Sequence, residues 1–508
     1  MRFPARRLTS LFSLSVLIAH ATGASAQALT PPPGPHAVGL HIVKQVDASR
    51  GDTPTLTIFG ATAPRATTRP MQTLVWYPAQ SSGAAHVRYL DYLQSELTGN
   101  DFAISTADLA TASKKWTQGA LAKQAQTTML AVRDARAASG LFPVVIYAPS
   151  FDAAAAENAD LCEYLASHGY IVVASASRGA RQRGMTDDLE GVQAQAADIA
   201  WLASFANTIP GADMSALAVA GFSWGGLANV FAASRSDRVK ALVSLDGSVR
   251  YYPQLITAAG TVTPANTAVP MLSIGSRPDS IERLNEREKS TAVSFLNKMV
   301  YSDVYLATML PMEHRDFSGE SVRLATDASF VEYSRDEVRT AHSWTARYVR
   351  AFLDAYLKRD TAALAFLKNT PVANGVPAHT MQYKARPASA VAPSKATFVA
   401  EFKRRQFKDA AAIYEAMRKN APDFTLSAGE LNNWGYEVLG KKNPQGAIEL
   451  FKLGATLEPR WGDIQDSLGE AYEAAGQPAL ALAAYERALE LNPAIPSSAA
   501  RVKALRQP

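Results

Sequence analysis

One cysteine stands in the 508 residues, so no intrachain disulfide can form and no cysteine-built metal centre is available. Cys162 lies in the apolar pattern Leu161-Cys162-Glu163-Tyr164-Leu165, where a small buried side chain is the expected role. Charge of one sign is equally scarce: 51 Lys and Arg against 46 Asp and Glu leave +5, too weak a bias to point to nucleic acid. The histidines are scattered and no His-Glu-x-x-His occurs, so the sequence implies neither a metal nor a cofactor.

The long apolar run is N-terminal. Arg2, Arg6 and Arg7 precede an apolar core from Leu8 to Ala21, and Ala24-Ser25-Ala26 follows. The core is shorter than the ~18 residues of a membrane span, and the pattern is that of a secretory signal peptide cleaved after Ala26. The expected location is therefore secreted or periplasmic, with no membrane span after signal removal. Cleavage removes three arginines and no acid, which takes the balance from +5 to +2. No cysteine adjoins the cleavage site to carry a lipoprotein anchor.

At 508 residues the chain is long enough for two or more domains with sizeable cores. After a Pro-rich lead, His41–Val46 and Leu74–Tyr77 read as two early antiparallel edge strands, and residues 89–138 as a helical insertion placed over the active site. From Phe142 strand and helix patterns alternate, with near-continuous apolar runs at 144–147, 171–174, 217–220, 241–245, 271–274 and 304–307. Such runs suit strands buried on both faces of a parallel sheet in an α/β fold. Helix patterns lie between them at 158–168, 191–205, 226–234 and 280–298, and a long amphipathic helix spans 335–357. Residues 386–394 form a small-residue linker containing proline. Beyond it Ala447, Phe451 and Pro459 recur 34 residues later as Ala481, Tyr485 and Pro493, and Gly435 recurs as Gly469. Ala410, Tyr414 and Pro422 form a third, degenerate copy. A 34-residue period of this kind belongs to paired-helix repeats. The expected divisions are a signal peptide at 1–26, an α/β domain at 27–385, a linker at 386–394, and an all-α repeat domain at 395–508 with a capping helix.

The chemistry centres on Gly221-Phe222-Ser223-Trp224-Gly225, a Gly-x-Ser-x-Gly pentapeptide between a buried strand and a helix pattern. That context makes it a nucleophile elbow, with Ser223 at the apex. A serine hydroxyl needs a base in hydrogen-bond reach and an acid to orient the base. Elbow folds place the acid and then the histidine after the serine, which sets aside His36, His41, His86 and His168. His168 precedes Gly169 at a helix end, a capping position. His342 lies inside the long helix and His379 in a later loop, whereas His314 leaves the C-terminal edge of the sheet, where ligands meet such folds. Two acids compete. Asp246 closes the strand at 241–245; Asp279 follows the next strand but opens a helix as Asp279-x-x-Glu282, a capping box that would occupy its carboxylate. Asp246 is preferred, with Asp279 the alternative. For the oxyanion, Trp224 supplies one N–H; the other falls to Ser150, Phe151 or Asp152, since Pro149 has none.

The segments Phe142–Tyr147, Leu165–Val172, Gly221–Gly226, Leu245-Asp246-Gly247 and His314–Phe317 together resemble the α/β-hydrolase superfamily. Within it they are most similar to platelet-activating-factor acetylhydrolase and dienelactone-hydrolase-like esterases, over about residues 39–374; the remainder resembles tetratricopeptide (TPR) repeats. The resemblance implies a small-molecule ester substrate, Asp246 as the acid and Phe151 as the second oxyanion donor. Those esterases usually carry His-Gly in the oxyanion loop, where this chain has Pro149-Ser150. Two functions are expected to compete. One is a secreted or periplasmic carboxylic-ester hydrolase with a Ser-His-Asp triad, or an amidase or peptidase using the same triad. The other is a catalytically quiet platform whose repeats bind a protein or peptide partner. The ordered Ser, Asp, His set favours the first.

Overall fold

A computed structural model describes residues 29–51, 53–54, 56–62, 68–181, 184–277 and 295–507. The expected signal peptide, the alternative acid Asp279 and most of the helix expected at 280–298 lie outside them.

An eleven-stranded sheet organises the first domain. Its strands are β1 (Ala37–Val43), β2 (Thr73–Ala79), β3 (His86–Arg88), β4 (Thr128–Arg133), β5 (Phe142–Ala148), β6 (Ile171–Ser175), β7 (Ala212–Phe222), β8 (Val239–Leu245), β9 (Met271–Ser276), β10 (Val304–Met309) and β11 (Met381–Arg386). Their order across the sheet is β11-β10-β9-β8-β7-β5-β6-β2-β1-β4-β3. The six strands β5 to β10 are parallel, so their C-terminal ends share one edge.

Side-chain alternation divides these strands between two cores. Val145, Tyr147, Val172, Ala174, Ala218 and Ala220 face one side. Val144, Ile146, Ile171, Val173, Leu217 and Val219 face the other. Both sets are buried, which is why the strands read as continuous apolar runs. The first core is covered by α1 (Tyr89–Asn100), α2 (Ala159–Ser167) and, later in the chain, α6 (Arg335–Leu357); the second by α3 (Leu189–Ala206), α4 (Trp224–Ala233) and α5 (Pro253–Ala259). The stripe Val338, Ala341, Tyr348, Val349 and Phe352 sets the buried face of α6. Each large apolar side chain so buried contributes roughly 1.5–3 kcal/mol. Ser334 and Glu337 start this helix with a reciprocal capping box.

Two expectations need correction. The early strands are antiparallel partners but not edge strands, because β4 and β3 extend the sheet beyond them. Residues 89–138 are accordingly not helical throughout: Thr-Met-Leu-Ala-Val-Arg forms β4, burying Met129 and Ala131 in the first core. Its β-branched and alternating pattern wins over the helical propensity of the residues before it. A buried network fastens the insertion. Trp76 Nε1 donates to the Tyr92 hydroxyl (2.8 Å), which donates to Glu163 Oε1 (2.6 Å). Leu130 N–H and Ala131 N–H donate to the same carboxylate. Burial pushes the Glu163 carboxyl up to about 7 despite these donors. Strand β11 has no counterpart among the expected elements; its mostly exposed, alternating residues carry little apolar signal.

Downstream, seven helices follow: α7 (Lys395–Arg404), α8 (Ala410–Asn420), α9 (Ala428–Gly440), α10 (Pro444–Leu457), α11 (Gly462–Ala474), α12 (Pro478–Leu491) and α13 (Pro496–Leu505). They bury cores of their own. The recurring glycines and aromatics turn out to be partners. A Cβ on Gly435 would stand 2.3 Å from the Phe451 ring, and one on Gly469 would stand 2.6 Å from the Tyr485 ring. Each of these two repeats thus seats an aromatic of its second helix on a glycine of its first.

Candidate active site

At the junction of β7 and α4 the chain turns within one residue. Ser223 has φ 54°, outside the regions open to most L-residues, a strain of about 1–3 kcal/mol that the surroundings must hold. They do so by contact and by hydrogen bonds. A Cβ on Gly225 would stand 2.1 Å from the Ala148 carbonyl oxygen, and one on Gly221 would stand 2.6 Å from the Gly225 carbonyl carbon. Both positions admit only glycine. Ser223 N–H donates to the Leu245 carbonyl (3.0 Å), and Ser248 N–H donates to the Ser223 carbonyl (2.9 Å).

Asp246 follows β8 with a second positive φ of 41°. Its N–H donates to the Ile274 carbonyl (2.6 Å), and its Oδ1 accepts from Ser276 N–H (2.9 Å), so backbone from β9 orients the carboxylate. The other oxygen, Oδ2, lies 2.6 Å from His314 Nδ1. His314 Nε2 lies 2.8 Å from Ser223 Oγ. Three residues far apart in sequence thus form one continuous hydrogen-bonded line at the C-terminal edge of the sheet. Ser223 and Asp246 are buried, whereas the His314 side chain is 50% exposed and faces solvent. Phe222 packs under the imidazole, with ring centroids 5.1 Å apart. The His314 turn is fixed by His342, whose Nε2 lies 2.5 Å from the Asp316 carbonyl oxygen. Burial holds the His342 imidazole below its ordinary value.

Other described histidines bond locally: His41 Nδ1 lies 2.5 Å from Asp134 Oδ1 and His86 Nδ1 lies 2.9 Å from the Leu130 carbonyl oxygen. His168 caps α2, with Nδ1 2.9 Å from the Tyr164 carbonyl oxygen. Among the described residues no group of three or more His, Cys, Asp or Glu side chains is arranged to hold a metal. Nor is any helix among them long and apolar enough to cross a membrane.

The loop after β5 passes beside the elbow. Trp224 opens α4, where first-turn N–H groups lack intrahelical acceptors. Of the three candidate partners, Ser150 is occupied: its N–H donates to Glu157 Oε2 (2.8 Å) and its hydroxyl to Glu157 Oε1 (2.6 Å). Among the described residues neither the Phe151 nor the Asp152 N–H meets a protein acceptor; of the two, Phe151 lies against the elbow, its ring packing edge-on on Trp224 at 5.6 Å. A cleft of about 100 Å³ separates this loop from the insertion, lined by Glu96 and Asn100 of α1 and by Asp152 and Ala154. Glu157 and Asn158, which hold the loop, are not marked by the sequence. They sit at the start of a helix pattern after four alanines, and nothing local shows that their side chains are buried.

The sheet, the elbow and the side-chain line together define an α/β-hydrolase. Comparison by sequence is specific: residues 94–373 match the family model of X-Pro dipeptidyl-peptidase (S15 family). The chain belongs to that family, and its first domain is a serine hydrolase of esterase or peptidase type. Residues 463–495 match the tetratricopeptide repeat, and the C-terminal region is a TPR-type helical domain. No protein of curated function matches the chain. Among solved structures, the ferulic acid esterase from Streptomyces cinnamoneus is similar at 21% identity and a TM-score of 0.48, covering 70% of this chain and 99% of its own. The family match bears on the superfamily; the narrower likeness to acetylhydrolases and dienelactone hydrolases gains nothing from it.

Proposed function

We propose that the protein is a secreted or periplasmic carboxylic-ester hydrolase that works through an acyl-enzyme. The observation carrying this reading is the line Asp246 Oδ2, His314 Nδ1, His314 Nε2, Ser223 Oγ at 2.6 and 2.8 Å. Ser223 Oγ attacks the ester carbonyl as His314 Nε2 takes its proton, and Asp246 steadies the resulting imidazolium. The Trp224 and Phe151 N–H groups receive the oxyanion. His314 then protonates the departing alkoxide, and a water activated by the same nitrogen releases the acid. The half-exposed imidazole gives that water direct access. Location outside the cytoplasm is supported by the N-terminal basic, apolar and small-residue pattern. The TPR region is assigned a protein or peptide partner.

A second reading is favoured by the S15 match: cleavage of a peptide bond after an X-Pro dipeptide. The relay alone suffices for an ester, whose leaving alkoxide departs readily. A peptide nitrogen leaves less readily, so its cleavage depends more strictly on protonation by His314 and also needs the substrate's backbone anchored.

One set of assays tests both. Wild-type protein should label with a fluorophosphonate probe and hydrolyse p-nitrophenyl acetate, and Ser223→Ala should do neither. Labelling and turnover retained by Ser223→Ala would overturn the assignment. Absence of both from the wild type would favour the catalytically quiet platform. Preferential turnover of an X-Pro-p-nitroanilide over aryl esters would establish the peptidase reading.

A further inference from the structure

We propose that Glu157 is a positioning residue for acyl transfer, holding through Ser150 the turn that presents the Phe151 N–H to the oxyanion and tying that turn to the loop bearing His314. This rests on the reading of Ser223 as nucleophile.

The geometry is that of a clamp with two jaws. On one side both Glu157 carboxyl oxygens accept from Ser150, one from its N–H and one from its hydroxyl. The Ser150 N–H is thereby turned inward, and the next N–H along the chain is left for a ligand. Ala153 N–H closes the turn onto the Ser150 carbonyl (3.2 Å), and Asp152 takes a positive φ of 55°. On the other side the Glu157 carbonyl accepts from Glu320 N–H (3.0 Å). Asn158 Oδ1 accepts from Gly319 N–H (2.7 Å), and its Nδ2 donates to the Phe317 carbonyl (3.0 Å), three residues beyond His314.

Two adjacent residues therefore grip both the oxyanion loop and the segment that follows the base. Only 7% of Glu157 is exposed. Placing a carboxyl at that depth is unfavourable unless its oxygens are satisfied, and Ser150 supplies both partners. An apolar side chain would fill the space at lower cost but would release Ser150. Pro149 has no N–H with which to hold the turn, and Glu157 holds it from outside through Ser150.

The test uses the full chain, with kcat for p-nitrophenyl acetate referred to sites titrated by a fluorophosphonate. Removal of one oxyanion donor costs ~100–1,000-fold in kcat, so a donor left in place but poorly aimed should cost roughly 30–100-fold. Glu157→Ala should lose that much kcat with KM within about threefold. Affinity for an alkyl trifluoromethyl ketone, which adds to Ser223 Oγ and places an oxyanion in the same hole, should fall in parallel. Glu157→Gln should stay within about threefold of wild type, since its carbonyl accepts the Ser150 N–H and its amide donates to the hydroxyl. Ser150→Ala should cost less than Glu157→Ala and add little to it. If Glu157→Ala fails to fold, Glu157→Asp, with its carboxyl one methylene back, carries the same expectation. An Ala or Asp variant with wild-type kcat per titrated site overturns the proposal. So does a loss confined to KM, or a Gln variant as impaired as Ala. Inactive wild-type protein would remove the acyl-transfer reading and this inference with it; active wild type with indifferent Glu157 variants would remove the inference alone.

Discussion

Replacing Asp246 by asparagine exchanges a single carboxylate oxygen for an amide nitrogen, and the hydrogen bonds around it dictate the consequence. Asp246 accepts two of them at once, from Ser276 N–H on Oδ1 and from His314 on Oδ2. Asparagine has one acceptor. If its oxygen keeps the Ser276 N–H, which is fixed in β9, its amide nitrogen faces His314 Nδ1 and forces that atom to accept. The imidazole proton then moves to Nε2, the atom 2.8 Å from Ser223 Oγ, and the base is blocked. The opposite orientation sets two donors against each other at Ser276, a penalty of about 1–3 kcal/mol. Even that minority form lacks the negative charge beside the developing imidazolium, worth ~4 kcal/mol at ~4 Å and an effective dielectric near ~20. Together these amount to about 5–7 kcal/mol, or ~10⁴–10⁵ in kcat. The assay is turnover of p-nitrophenyl acetate by Asp246→Asn protein whose folding is checked by thermal unfolding. A folded variant keeping more than a tenth of wild-type kcat would refute the tautomer argument, and a large loss in Asp279→Asn alongside it would transfer the role.

The remaining expectations concern stability. Gly225→Ala places a Cβ 2.1 Å from the Ala148 carbonyl oxygen and 2.6 Å from that of Pro149, both backbone atoms that cannot swing aside. It should destabilise the fold by at least the usual ~1–3 kcal/mol of overpacking, read as a lowered unfolding midpoint; a stable, fully active variant would contradict the close approach. Burial, and then the neighbouring Glu96 charge, push the Glu320 carboxyl up to about 7. A carboxyl raised above its unfolded value of 4.5 favours the fold below that pH, and the contribution is lost as pH rises through about 7. Glu320→Gln should therefore match wild type near pH 5 and gain roughly 1–3 kcal/mol near pH 8. An equal gain at both pH values in thermal unfolding would show that the carboxyl is not the cause. Gly435→Leu drives a side chain into the Phe451 ring and should open the repeat region to limited proteolysis while leaving ester turnover per titrated Ser223 unchanged.

Chain order and local pattern were enough to specify an α/β sheet, the elbow at Ser223 and the paired-helix repeats. Apolar runs of four or five residues mark strands buried on both faces, and a Gly-x-Ser-x-Gly between strand and helix marks the turn by its steric demands. The 34-residue spacing marks the repeats without showing their cause, namely a Phe451 or Tyr485 ring seated on Gly435 or Gly469. Weakly apolar elements stay hidden. Strand β4 takes its place in the sheet by pairing with β1, and β11 by pairing with β10; neither partner can be read locally. In the site, chain position singles out His314 and gives Asp246 an edge over Asp279. The carboxylate's aim, set by the Ser276 N–H, and the 2.6 and 2.8 Å separations exist only once β7, β8, β9 and the loop after β10 are assembled. Glu157 is the sharpest case. Its sequence neighbourhood is that of an ordinary helix start, and its contacts reach seven residues back to Ser150 and across the fold to Glu320. Sequence determined which residue types were available and in what order, because period and sterics are local properties. Tertiary structure decided which of them became buried, paired and aimed, because those depend on partners brought together from far along the chain, 163 residues apart in the Asp160–Arg323 pair beside this clamp.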